Sequence, residues 1–121
     1  MRNSKQPLTF ERLRRQNKRR CEAYFHKIHE WSEAEWACAL AGEVGELCNF
    51  IKKRTRILKS EKFTRQTDKD LEPLRQEAKK EIGDALAYLD LTATSLGFRL
   101  EDCVRDKFNE VSERVKSKIK L

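Results

Sequence analysis

Carboxylates recur in this sequence at the spacing a helix needs to gather them. Glu43 and Glu46 stand three residues apart in LAGEVGELCNFIKK, and Glu81 and Asp84 stand three apart in KKEIGDALAYL. Residues three or four apart share one face of a helix. Glu77 and Tyr88 extend the second pair into a stripe. At 100° per residue, Glu77, Glu81, Asp84 and Tyr88 fall within about 60° of one another. Four or five carboxylates drawn into one partly dry site repel strongly, and their desolvation is costly. A hard divalent cation resolves that conflict: Mg²⁺ takes oxygen ligands, a few carboxylates together with waters and substrate phosphates. A plainer reading stands beside this one. Acids on helices are commonly solvated or paired with nearby Lys and Arg, as Glu77 is placed to be with Lys80.

The elements that must position these acids are helical. Four helical segments emerge from the periodicity, and no strand. The first spans about Thr9 to Ile28, with Phe10, Leu13, Asn17, Cys21, Tyr24, Phe25 and Ile28 on a broken stripe. The second starts at the capping box Ser32-Glu33-Ala34-Glu35 and runs to about Arg54, with Leu40, Val44, Leu47 and Ile51 as its buried stripe. Residues 55–69 read as a basic connection. The third starts at Asp70 as N-cap, with Pro73 in its first turn, and stops at Gly97. Its core stripe is Ala78, Ile82, Ala85, Leu89, Ala93 and Leu96. The fourth runs from about Leu100 to Val115, with Val104, Phe108, Val111 and Val115 on one side, and KSKIKL frays or docks on a partner. If the second and third helices pack antiparallel, their acids converge. Gly42 and Gly45 among alanines then let the two backbones approach, since a helical Gly otherwise costs about 1 kcal/mol relative to Ala.

Composition agrees with an all-α fold. Charged residues are 39% and hydrophobic ones 38%, with 4 Gly and 2 Pro in 121 residues. The length suits one domain, residues 1–121, divided into a basic N-terminal arm and helix (1–30), a core (31–115) and a tail (116–121). A core this small often gains from oligomerisation. No apolar run reaches the roughly 20 residues of a membrane span. The N-terminus lacks the apolar region of a signal peptide, so a cytoplasmic protein without a membrane partner is expected. Cys21, Cys38, Cys48 and Cys103 form no CxxC pair and read as reduced thiols rather than a zinc site. The charge of +7 is uneven: residues 1–30 hold nine Lys/Arg against three acids, a net +6, which leaves +1 for the rest.

Glu43-x-x-Glu46 followed by Glu81-x-x-Asp84, set in AGEVGEL and EIGDALAYL, resembles the ExxE…ExxD signature of the MazG-like all-α nucleoside triphosphate pyrophosphohydrolases. The resemblance covers about residues 31–115. It implies a MazG-like four-helix bundle, completed as a homodimer or homotetramer. It implies Glu43, Glu46, Glu81 and Asp84 as ligands of Mg²⁺, for which Mn²⁺ can substitute. It implies cleavage of an NTP or dNTP between the α and β phosphates to the monophosphate and pyrophosphate. KFNEVSERV, Lys107 to Val115, resembles the small phage branch that includes MazZ, whose substrates are dGTP and dATP. In that setting the host cytoplasm is the expected location. One departure is the 34 residues between Glu46 and Glu81, somewhat long for the family.

Within that chemistry, Glu43, Glu46 or Glu77 can take the proton of the attacking water. Lys52, Lys53 and Lys107 can hold phosphates as point charges. Asn109 and Tyr88 can reach sugar or phosphate, and Trp31 or Trp36 can stack on a base, with Phe10, Tyr24 and Phe25 upstream. Each has a structural counterpart: a solvated helix end for the lysines, packing for the tryptophans. His26 and His29, three apart, are a weaker metal pair. A rival function uses RLRRQNKRR, Arg12 to Arg20, as a nucleic-acid-binding helix. That cluster carries few aromatics and no known docking motif, so nucleic acid ranks behind the nucleotide as a partner. A third reading is a purely structural partner that completes a bundle with another chain.

Overall fold

The Thr9 hydroxyl opens the first helix by accepting the Arg12 N–H at 3.0 Å, which satisfies an amide the helix itself leaves unpaired. In this computed structural model, residues 6–60 and 67–121 are described, residues 67–70 by their backbone alone. Helix α1 (Phe10–Tyr24) ends when Phe25 leaves helical geometry, and a single 3₁₀ turn, Ile28–Glu30, follows. The single helix expected as far as Ile28 is therefore broken. The break turns Ile28 inward to 3% exposure, where its carbonyl accepts the Trp36 Nε1–H at 2.9 Å. It leaves Tyr24 81% and Phe25 75% exposed, off the buried stripe where periodicity put them.

Helix α2 (Glu33–Lys59) starts on the expected capping box. The Ser32 amide donates to Glu35 Oε2 at 2.7 Å, and the Glu35 amide donates to Ser32 Oγ at 3.2 Å. It runs past Arg54, and α3 (Thr67–Ser95) begins ahead of Asp70, which lies inside the helix rather than capping it. The expected 55–69 connection is correspondingly shorter, and residues 61–66 of it lie outside the described residues. The physical reason is tertiary. The two helices are antiparallel neighbours, and Arg54, Thr55 and Ile57 are half-buried, a gain that local pattern does not reveal. Gly97 ends α3 as expected, at φ 79. The Gly97 amide donates to the Thr94 carbonyl and the Phe98 amide to that of Ala93, the paired bonds of a Schellman motif.

Helix α1 crosses the C-terminal half of α3. Asn17 Nδ2 bridges the Ala87 carbonyl at 2.8 Å and Asp90 Oδ2 at 2.9 Å, while Asp90 itself is 1% exposed. Helix α4 (Leu100–Arg114) joins α1 through Arg14 and Glu101 at 3.2 Å. Cys21, Ile28, Trp36 and Leu91 form the core cluster, with Trp31 and Tyr88 packed against it. Among the described residues all regular structure is helical, and no helix is long and apolar enough to cross a membrane.

The buried faces differ from the apolar stripes. On α2, Leu40 and Leu47 are half-buried, but Val44 and Ile51 are exposed. On α3, Ile82, Leu89 and Leu96 are exposed, whereas Glu77, Glu81 and Tyr88 are half-buried. The stripe read as α3's core is thus split: Ala78 and Ala85 are half-buried and Ala93 is buried, while its large side chains face outward and Glu77, Glu81 and Tyr88 of the neighbouring stripe turn in. A cβ added at Gly42 or Gly45 would meet nothing within 4 Å, so these glycines serve no close approach within the chain. The stripe on α4 is likewise mostly open, with Val104, Phe108 and Val115 exposed. The tail neither frays nor extends away. It folds back on α4, where Asn109 accepts the Leu121 amide at 2.9 Å and donates to its carbonyl at 3.2 Å.

Candidate functional site

The antiparallel pairing of α2 and α3 sets Glu43 against Glu81. One oxygen from each of Glu43, Glu81 and Asp84 lies within 4.8 Å of the others. The Glu81 carboxyl faces that of Glu43, placed for a hydrogen bond between the two whenever one is protonated. Desolvation pushes the Glu81 carboxyl above its ordinary range, reinforced by that hydrogen bond and by the charges of Glu43, Asp84 and Glu46. Glu81 Oε2 is shielded from solvent with no hydrogen-bond partner. An orphaned carboxylate oxygen inside a repelling cluster is the donor set a hard cation satisfies. Glu46 contributes its charge from the exposed side of α2 and is outside the three-acid cluster. Glu77 is held by Lys80 at 3.0 Å, the structural pairing.

A cleft of about 410 Å³ adjoins the cluster. Its walls are Phe25, His26, Trp31, Trp36 and Tyr88, closed by Ala87, Leu91 and Cys21, with Asn17, Arg20 and Asp84 as polar groups. Asp84 therefore belongs to both the acid cluster and the cleft. The sequence-level aromatics are divided by burial. Trp36 is 1% exposed and anchored by its indole N–H, so its role is packing with an edge on the cleft. Trp31 is half-buried and stacks on His26, ring centroids 4.4 Å apart. His26 Nδ1 faces the Lys27 carbonyl at 3.0 Å, a contact that needs the proton on Nδ1. Tyr88 is raised above its ordinary range by burial and by the charges of Glu43 and Asp84.

No family model matches the chain, and neither a curated protein nor a solved structure matches it.

The remaining expected ligand contacts lie apart from this centre. Lys52 and Lys53 are exposed farther along α2, with Lys53 Nζ 5.5 Å from the Phe50 ring centroid. Lys107 pairs with Glu110 at 2.7 Å, and Asn109 is occupied by the Leu121 backbone. His29 is exposed on the 3₁₀ turn. Asn17 and Arg20 line the cleft, although periodicity marked Asn17 only as a stripe residue and Arg20 only as part of a basic run. Neither carries a local signal: they reach the cleft only through the crossing of α1 over α3.

Proposed function

We propose that this chain is a divalent-metal-dependent nucleoside triphosphate pyrophosphohydrolase of the MazG-like type, acting on a (deoxy)nucleotide and, by the resemblance of its C-terminal stretch, on purine dGTP or dATP. The observation that supports this reading is the double membership of Asp84: a carboxylate of the acid cluster is also a wall of an aromatic cleft. A nucleotide needs both, a flat apolar slot for its base and a charge-neutralising site for its phosphates. Glu43, Glu81 and Asp84 would hold the cation. When held there, Mg²⁺ or Mn²⁺ would supply neutralisation of phosphate charge. Trp31, His26 and Tyr88 receive the base, and the low-dielectric wall they form keeps bulk water from it. Glu46 is the carboxylate best placed to take the proton of the attacking water, since Glu43 lies within the cluster and Glu77 is tied to Lys80. The exposed Val44, Ile51, Ile82 and Leu89 suit a second copy that completes the bundle, as a dimer or tetramer. Lys107 and Asn109 would then meet a phosphate only across such an interface.

The test is a panel of NTPs and dNTPs with Mg²⁺ or Mn²⁺, following monophosphate and pyrophosphate release. Release from dGTP or dATP, reduced by at least about 100-fold in Asp84→Ala, is expected. Release from pyrimidine nucleotides alone removes the purine assignment. No turnover of any nucleotide refutes the reading and returns the acid stripe to architecture.

A further inference from the structure

Asn17 enters the aromatic cleft from a buried position, 5% exposed on the face of α1 that crosses α3. Both N–H groups of its amide are engaged: Nδ2 donates to the Ala87 carbonyl at 2.8 Å and to Asp90 Oδ2 at 2.9 Å. A backbone carbonyl can only accept, so the NH₂ end of the amide is fixed on α3 and the oxygen points elsewhere. That oxygen, Oδ1, accepts from none of the described residues and is not fully enclosed. A nearly buried acceptor without a donor is unfavourable, and a ligand N–H relieves it. Arg20 stands one turn on along the same wall, exposed and with no hydrogen-bond or ion-pair partner among the described residues. Asn17 and Arg20 also border a second hollow of about 400 Å³ along α1, so the cleft ends at these two side chains. Asp84 joins the same cleft to the acid cluster. A nucleotide with its phosphates at the acids and its base among the aromatics turns the edge of that base to Asn17 and Arg20.

We propose that Asn17 and Arg20 read the base, and that the edge they fit is that of guanine, with Arg20 donating to N7 and O6 and Asn17 Oδ1 accepting from N1–H. The inference rests on the nucleotide reading of the cleft. Guanine sets two acceptors, N7 and O6, beside the donor N1–H along one continuous edge, and a guanidinium donates to the two acceptors together. Adenine carries an amino group in place of O6, which sets donor against donor at Arg20.

The test is titration of the intact chain with dGMP, dAMP, N1-methyl-dGMP and 7-deaza-dGMP in the presence of Mg²⁺, read by tryptophan fluorescence, since Trp31 and Trp36 border the cleft. These ligands have no α–β anhydride, so binding is read without turnover. dGMP should bind at least about tenfold more tightly than dAMP. N1-methyl-dGMP, which lacks the donor, and 7-deaza-dGMP, which lacks the N7 acceptor, should each bind at least about fivefold more weakly than dGMP. Asn17→Ala brings dGMP down to the affinity of N1-methyl-dGMP. Arg20→Ala, at an exposed position, erases the difference between dGMP and 7-deaza-dGMP. The analogue series on the unaltered chain decides the matter even where Asn17→Ala fails to fold. Equal affinity of the unaltered chain for dGMP and any one of the other three ligands overturns the proposal. So does an Arg20→Ala variant that weakens all four ligands by the same factor, because the guanidinium would then hold the phosphate. Guanine-selective binding without pyrophosphate release from dGTP refutes the hydrolase and leaves the base site standing, and pyrophosphate release with no such selection does the reverse.

Discussion

The two ends of the α2–α3 hairpin are built from similar residues and packed differently. At one end α1, the 3₁₀ turn and α4 pack on α3, the Trp36 side chain of α2 reaches the Ile28 carbonyl, and Trp36, Asp90, Cys21, Ile28 and Leu91 are buried. At the other, Leu71 is buried, but Val44, Ile51, Leu58 and Ile82 stay exposed, and among the described residues no third helix covers them. The acid cluster of Glu43, Glu81 and Asp84 sits between the two. The covered end supplies a rigid wall and a cleft, and the bare end leaves the carboxylates reachable. Burial of apolar surface is worth about 25 cal/mol per Å², so stability concentrates where the third helix is.

The sharpest way to break this comparison is to delete one side chain from each end. Trp36→Ala should cost about 3–5 kcal/mol by chemical denaturation, because it opens the core and strands the Ile28 carbonyl. Ile82→Ala in the dilute monomer should change stability by no more than about 0.5 kcal/mol. A large loss at Ile82 would mean that its face is covered, and concentration dependence of that loss would name a second copy as the cover. A smaller effect comes from Gly42→Ala. A helical Gly to Ala change at a site with open space around it should stabilise by up to about 1 kcal/mol. A destabilised or dissociated assembly would instead show that another backbone comes close there.

The smallest effect sharpens the comparison through pH. Asp90 at the covered end is raised above its ordinary range by burial, against the opposing hydrogen bond from Asn17 and the charge of Arg14. Glu81 at the junction is raised too. A raised carboxyl binds its proton more tightly in the folded state, so the stability it contributes is fully present below the ordinary pKa of about 4 and is lost as pH rises through the folded value. The cation-free protein should therefore melt at lower temperature as pH rises from about 4 towards neutrality. Asp90→Asn removes one share of that slope, and added Mg²⁺ should remove the other. A slope unchanged by both would assign the pH dependence elsewhere.

The helices were legible because their signals are local. The Ser32 capping box and the Gly97 stop need only neighbouring residues to be read, and both appear where expected, whereas of the i,i+3 acids Glu81 and Asp84 come together and Glu46 stays outside the cluster that Glu43 joins. The rotation of the helices was not legible. A sequence shows which stripe of α3 is most apolar, and an isolated reading turns that stripe inward. The chain instead turns in the face bearing Glu77, Glu81 and Tyr88 and leaves Ile82 and Leu89 in the open. The cleft was illegible for a related reason: Asn17, Arg20, His26, Trp31 and Asp84 are scattered over 68 positions and meet only through the crossing of α1 over α3.

What the amino-acid sequence alone determined is the all-helical character, most of the helix ends and the placement of two acid pairs on two helices, since backbone hydrogen bonding and capping act over four residues or fewer. What only the tertiary structure decided is which acids meet, which aromatics are buried and which are left in solvent. Those depend on helix rotation and crossing, set by the total burial of the assembled helices and not by any one of them.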